Sequence, residues 1–348
     1  MLMVVFGAGA SYDSVPEANW NSAMHSNAAN LRPPVASSLF DLGREPFLTA
    51  SKLFDVAGAG ALIMELQAVT QGGSVSVEEY LQDQALRAEG GDADVQCQLL
   101  AVRYYLKEVV AGSTTPWEEL AGGHTNYRAL LNKIDRHRRE TKEPVLVVSF
   151  NYDLLFEHAL HAQLDIEKPH LASYPVGPYH LIKPHGSTNW SRINVSVEDL
   201  PPELVIKAGG VVDQGMPVTM SEPAKTGWLP ALAVPTVSKS SFECPPGHVQ
   251  ALASLLPEVD RLLAVGWRGQ EQTFLDMCAD HIPQGLAGLV ISHEIGSATK
   301  IAEHLAESIP GSRILPSSST GFSHALRWDR TVEAAWKGEP EVLKTDSG

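Results

Sequence analysis

Two observations predict an α/β fold built on a doubly wound parallel sheet. Apolar, β-branched runs recur along the chain, and amphipathic helical patterns follow several of them. The runs are MLMVVF at 1–6, VLVVSF at 145–150, YHLIK at 179–183, LLAVG at 262–266 and LAGLVIS at 286–292. Each is continuously apolar rather than alternating, the mark of a strand covered on both faces. QEQTFLDMCADHI follows Gly269 as a helix, and ATKIAEHLAESI puts Ile301, Leu305 and Ile309 on one helical face. The expected architecture is Rossmann-like, with ligands at the carboxyl ends of the strands.

The first strand run opens a core expected over 1–50 and 140–335. Residues 51–139 interrupt it. There Val95, Leu99, Val102, Leu106 and Val109 repeat at helical spacing and strand signals are scarce, which predicts a helical insertion or cap. DRHRRETKE near its end reads as a solvated helix terminus. Residues 192–228, rich in Pro, Gly and Val, read as an irregular, lid-like connection, and 336–348 as a tail.

With 348 residues, a net charge of -15 and a pI near 5.3, the chain lacks the basic surface that direct nucleic-acid or membrane-surface binding needs. No apolar run reaches the ~18 residues of a membrane span, and no signal peptide opens the chain, so a cytoplasmic location is expected. Cys97, Cys244 and Cys278 lie far apart, which excludes a zinc ribbon. His158 and His161 have no third ligand nearby, so no metal is expected.

Three stretches present chemistry at strand ends. In VVFGAGASYDS a strand meets Gly7-Ala8-Gly9-Ala10-Ser11, a turn without bulky side chains whose N–H groups suit a diphosphate, or a tight βα turn with no ligand. The third glycine of the oxidoreductase fingerprint is replaced by Tyr12, which disfavours hydride transfer. In SFNYD a buried strand delivers Asn151 and Asp153 together. Asp153 suits a helix cap or a ligand group, and Asn151 suits a turn or a ligand. In KPHGSTNW, His185 leaves the third strand run in a Pro/Gly loop, either as a structural residue or as a base near neutral pH.

GAGAS, SFNYD, KPHGSTNW and VGWRGQEQTF, in that order, resemble the motifs of the sirtuin-like family, and more closely its bacterial branch of NAD-consuming antiphage-defence proteins. The resemblance implies that Gly7, Ala8, Gly9 and Ser11 cradle the diphosphate of NAD. It implies that Asn151 holds the nicotinamide ribose, that Asp153 orients the nicotinamide side and that His185 is the catalytic proton acceptor. Gly266 and Trp267 match the turn over the phosphates and adenosine ribose, and Ser292 the strand end at the adenosine. Trp190 and Trp267 are candidates for core anchors that touch the adenine or nicotinamide. Cleaving the glycosidic bond of NAD passes through a cation-like sugar, and an amide, a carboxylate and an imidazole beside a phosphate cradle meet its needs.

The four-cysteine zinc module of the deacetylating members is absent, as is their Pro-Asp-Phe-Arg-Ser-type segment, which favours water as the acceptor. The implied activity is an NAD glycohydrolase releasing nicotinamide and ADP-ribose or its cyclic form, with NAD as substrate and no zinc. A defence effector of this kind implies control by homo-oligomer assembly or by a separately encoded regulatory or ATPase partner. Two alternatives stand beside it: a non-catalytic NAD or ADP-ribose sensor, and a deacylase or ADP-ribosyltransferase.

Overall fold

Five consecutive apolar residues, Leu2–Phe6, form β1, and every one is buried. The computed structural model describes residues 1–14, 32–40, 59–72, 75–121, 125–164, 171–175, 177–193, 218–220, 228–236, 242–328, 332–333 and 335. β1 pairs in parallel with β2 (Val145–Ser149) on one side and β7 (Arg261–Val265) on the other. β3 (Tyr179–Ile182), β8 (Ala287–Ile291) and β9 (Arg313–Pro316) complete a six-stranded parallel sheet in the order β3-β2-β1-β7-β8-β9. The fold is α/β, as the strand runs predict.

Both faces of that sheet carry a core, because successive residues of a strand point to opposite sides. Leu2, Val4, Phe6, Val145, Val147 and Leu263 pack with α5 (Asn126–Thr141), α6 (Leu155–Leu164) and α10 (Phe322–Trp328). Met3, Val5, Leu146, Val148, Leu262 and Ala264 pack with α7 (Pro246–Leu255), α8 (Gln272–His281) and α9 (Ile295–Ser308). The strict alternation is why the strands read as unbroken apolar runs.

The helical stretch between β1 and β2 divides in two. α2 (Ala59–Gly72), α3 (Val77–Glu89) and α4 (Ala93–Ala121) build a separate core around Leu66, Leu81, Val102 and Tyr105. α5 also falls largely within the segment expected to be an insertion, yet its Tyr127, Leu130, Leu131 and Ile134 cover the sheet. Its basic end is only partly solvated: Arg139 is exposed, but Arg138 is mostly buried, and both bond the buried Asp135, at 2.8 Å from Arg138 and 2.6 Å from Arg139.

A second, antiparallel sheet joins β5 (Val218–Met220), β4 (Gly186–Ile193) and β6 (Trp228–Leu232). The lid expected over 192–228 thus includes the end of β4, β5 and the start of β6; its other residues, and the tail at 336–348, lie outside the described residues. Among the described residues no helix is long and apolar enough to cross a membrane.

The chain runs outward from β1 to β2 and β3, then returns to β7 on the opposite side of β1. Strand order therefore reverses between β1 and β7. The turns leaving those two strands flank the switch point, where open α/β sheets bind ligands.

Candidate functional site

The two turns at the switch point touch through their backbones. Gly7 N–H donates to Val265 O at 3.0 Å, and Gly9 N–H donates to Gly266 O at 3.1 Å. A side chain on Gly7 would lie 2.5 Å from Gly266 O; one on Gly266, whose φ is +57°, would lie 2.2 Å from Ala10 N. Glycine is required at both places by this approach. The Gly7 and Gly9 amides are committed to the carbonyls of Val265, the last residue of β7, and Gly266, in the turn after it, while Ala8, the first residue of α1 (Ala8–Ser14), is exposed beside them. Gly266 N–H donates in turn to Ile291 O at 2.9 Å, which brings the end of β8 alongside. Ser292 follows there, buried, its carbonyl accepting from Gly321 N–H at 2.7 Å.

Asn151 sits one strand over. Phe150 N–H bonds Phe6 O at 2.9 Å and extends the pairing past β2, so Asn151 emerges level with the glycine turn. Its amide nitrogen donates to Ser11 Oγ at 2.9 Å and to Tyr127 Oη at 3.0 Å, and those two hydroxyls are 2.7 Å apart. Both amide hydrogens are thereby used, which sets the amide's orientation. The other atom, Oδ1, is buried and has no hydrogen-bond partner among the described residues. An unpaired buried acceptor costs roughly 1–3 kcal/mol, so its persistence calls for a reason. Burial, reinforced by the charge of Asp153, raises the Tyr127 hydroxyl well above its usual pKa and keeps it protonated.

Asp153 does what a helix cap does: its Oδ1 accepts from Leu155 N–H at 3.1 Å at the start of α6. Burial pushes its carboxyl up, against the Lys183 ammonium, the Ser11 hydroxyl and the Leu155 N–H, which all pull it down. Lys183, fully buried at the end of β3, donates to Asp153 O at 2.6 Å, Glu157 Oε1 at 2.8 Å and Ser187 Oγ at 2.8 Å. Tyr174 adds a hydroxyl to Glu157 at 3.2 Å. This network locks the Asn151–Asp153 turn to the β3 loop.

His185 lies in that loop, buried. Its carbonyl accepts from Ala233 N–H at 2.9 Å, and the preceding Pro184 carbonyl accepts from Glu243 N–H at 2.7 Å. The imidazole packs on Phe150 with ring centroids 4.7 Å apart, and Tyr152 is 6.3 Å away. Trp267 stacks on Phe150 at 5.5 Å, so one aromatic ring separates His185 from the β7 turn. Glu271 bridges the same gap: one oxygen is 4.0 Å from His185 Nε2, and the other accepts the Trp267 indole N–H.

The insertion meets this rim. Tyr152 packs against its core and donates to Ala233 O at 2.7 Å. Arg103 of α4 and Arg192 of β4 hold Glu243 from both sides, at 2.9 and 3.0 Å. Burial alone pushes the Glu243 carboxyl up, but the two guanidinium groups outweigh it and bring it below the ordinary carboxylate range.

The structure thus joins Ser11 to Asn151, the glycine turn to Gly266 and Trp267, and Trp267 to His185 through Phe150. Trp190 is apart from these, wholly buried between Tyr174 and His248. Three residues at the site had no role in the motif reading. Lys183 and Glu271 stand inside KPHG and GWRGQEQTF, where their position was the available signal. Tyr127, in the first turn of α5, carries no local signal at all. Models of known protein families give no match to the chain, and neither do curated proteins. The sirtuin-like resemblance therefore rests on the motifs alone.

Proposed function

We propose that the chain is an NAD glycohydrolase, cleaving the nicotinamide–ribose bond to give nicotinamide and ADP-ribose or its cyclic form. One observation carries the reading: Asn151 presents a buried acceptor with no partner among the described residues, its amide held by Ser11 and Tyr127, beside the glycine turns of the switch point. A ribose offers hydroxyl donors of the kind that acceptor lacks, and fixing a sugar in place is a large part of catalysing its cleavage. His185 is the proton acceptor, and Trp267 with Phe150 forms the apolar wall on its side. Asp153 supports the turn that carries Asn151.

The family resemblance adds the biological setting, antiphage defence by NAD depletion, and with it control by self-assembly or a separately encoded partner. Purified protein incubated with NAD and assayed for nicotinamide is the test. Release that is lost in Asn151→Ala and His185→Ala, both folded, supports the reading. NAD binding without release, in every assembly state and with the partner supplied, would replace it with a sensor. NAD consumption only in step with an acylated peptide would replace it with a deacylase.

A further inference from the structure

Glu271 stands at the start of α8, where its backbone carbonyl accepts from Phe274 N–H and Leu275 N–H, both at 3.0 Å. The carboxylate is held too, with one oxygen on the Trp267 indole and the other 4.0 Å from His185 Nε2. Its side chain is 19% exposed and that of His185 is 5% exposed, so the pair faces little water. Phe150 and Trp267 wall it on one side.

We propose that Glu271 is a positioning residue for His185, fixing the imidazole and strengthening it as the base that activates water. The proposal rests on the NAD-cleaving reading and specifies its acceptor. In the step it serves, the bond between the ribose carbon and the nicotinamide nitrogen breaks, and its electron pair leaves on nicotinamide. The oxygen of water forms the new bond to that carbon. The proton of that water passes to the imidazole, and from there to solvent. The imidazolium formed in between lies beside a carboxylate that is already in place, which lowers the cost of forming it.

Other charged groups share this space. Tyr152, from the β2–α6 turn, faces Arg103, Glu271, Glu243 and Glu78, and burial keeps its hydroxyl protonated. Glu243 is paired with Arg103 and Arg192. Lys183, just past β3, is turned into Glu157. Glu271, by contrast, has an oxygen in ion-pair range of His185 Nε2.

Glu271→Gln keeps the shape and an oxygen for the indole while removing the charge. Two readouts are made on the full chain: the pH profile of nicotinamide release, and the imidazole titration of His185 by NMR, assigned with His185→Ala. A carboxylate at this distance strengthens proton binding at least about tenfold. The variant is expected to titrate about one pH unit lower and to lose about tenfold in kcat, with KM and the unfolding midpoint little changed. A titration and a pH profile that superimpose on those of the native protein would overturn the proposal. If the native protein releases no nicotinamide but the titration still moves, the NAD-cleaving reading fails while the pairing of Glu271 with His185 stands.

Discussion

Tyr127→Phe removes one oxygen atom and tests how Asn151 is held. The native amide nitrogen spends its two hydrogens on Ser11 Oγ at 2.9 Å and Tyr127 Oη at 3.0 Å. Without Oη, one of those hydrogens is buried with no acceptor, a loss of roughly 1–3 kcal/mol. The ring itself is kept, because it packs edge-on against Phe6 at 4.9 Å and Phe322 at 5.8 Å through its carbon atoms. The amide then relieves the loss by rotating, and Oδ1 leaves the position that meets the sugar. At about 1.36 kcal/mol per factor of ten, the expected fall in kcat/KM is about fivefold to about 160-fold. Nicotinamide release measures it, and thermal unfolding shows whether the fold is intact. A variant with kcat/KM within about twofold of native would refute the claim that Tyr127 orients Asn151.

Two further predictions concern the frame around that amide. Lys183→Met leaves Glu157 buried without its cation and should destabilise the fold by about 3–5 kcal/mol in urea unfolding; a loss under about 1 kcal/mol would mean that the pair is dispensable. Asp153 has a folded pKa raised above the ordinary value, by burial first, so the stability tied to its protonated form is full at low pH and is lost as pH rises through the folded pKa. Asp153→Asn keeps a capping oxygen for Leu155 N–H and does not titrate. Its unfolding midpoint relative to the native protein should therefore rise as the pH is raised above about 4, the unfolded value, and a constant difference would contradict the burial argument.

The parts of the fold that could be read from sequence share a physical origin. β1, β2 and β7 are buried along their whole length, and β3 and β8 in all but one residue, so their runs stand out as apolar. β9 escaped notice because it is a short edge strand ending in Pro316, with two of its four residues only partly buried. β4 escaped because its residues, Gly186–Ile193, are largely polar and its pairing with β6 shifts register along the way. α5 was hidden by its own basic face, which drew attention from Tyr127, Leu130, Leu131 and Ile134 beneath it.

The site divides along the same line. Gly7, Asn151 and His185 stand at strand ends, and strand ends are visible in a sequence. The hydroxyl of Tyr127, the ammonium of Lys183 and the carboxylate of Glu271 take their meaning from partners 24, 26 and 86 residues away, which spacing alone does not reveal. The glycines were legible as a tight turn; that two of their amides are bonded to the end of β7 and the turn after it was not.

The most direct test of the central claim is a structure of the full chain with ADP-ribose bound. A ribose hydroxyl is expected within hydrogen-bonding distance of Asn151 Oδ1, with the diphosphate over the turns at Gly7 and Gly266 and the His185 imidazole facing the sugar. Asn151 Oδ1 still without a partner while ADP-ribose binds elsewhere on the chain would contradict it.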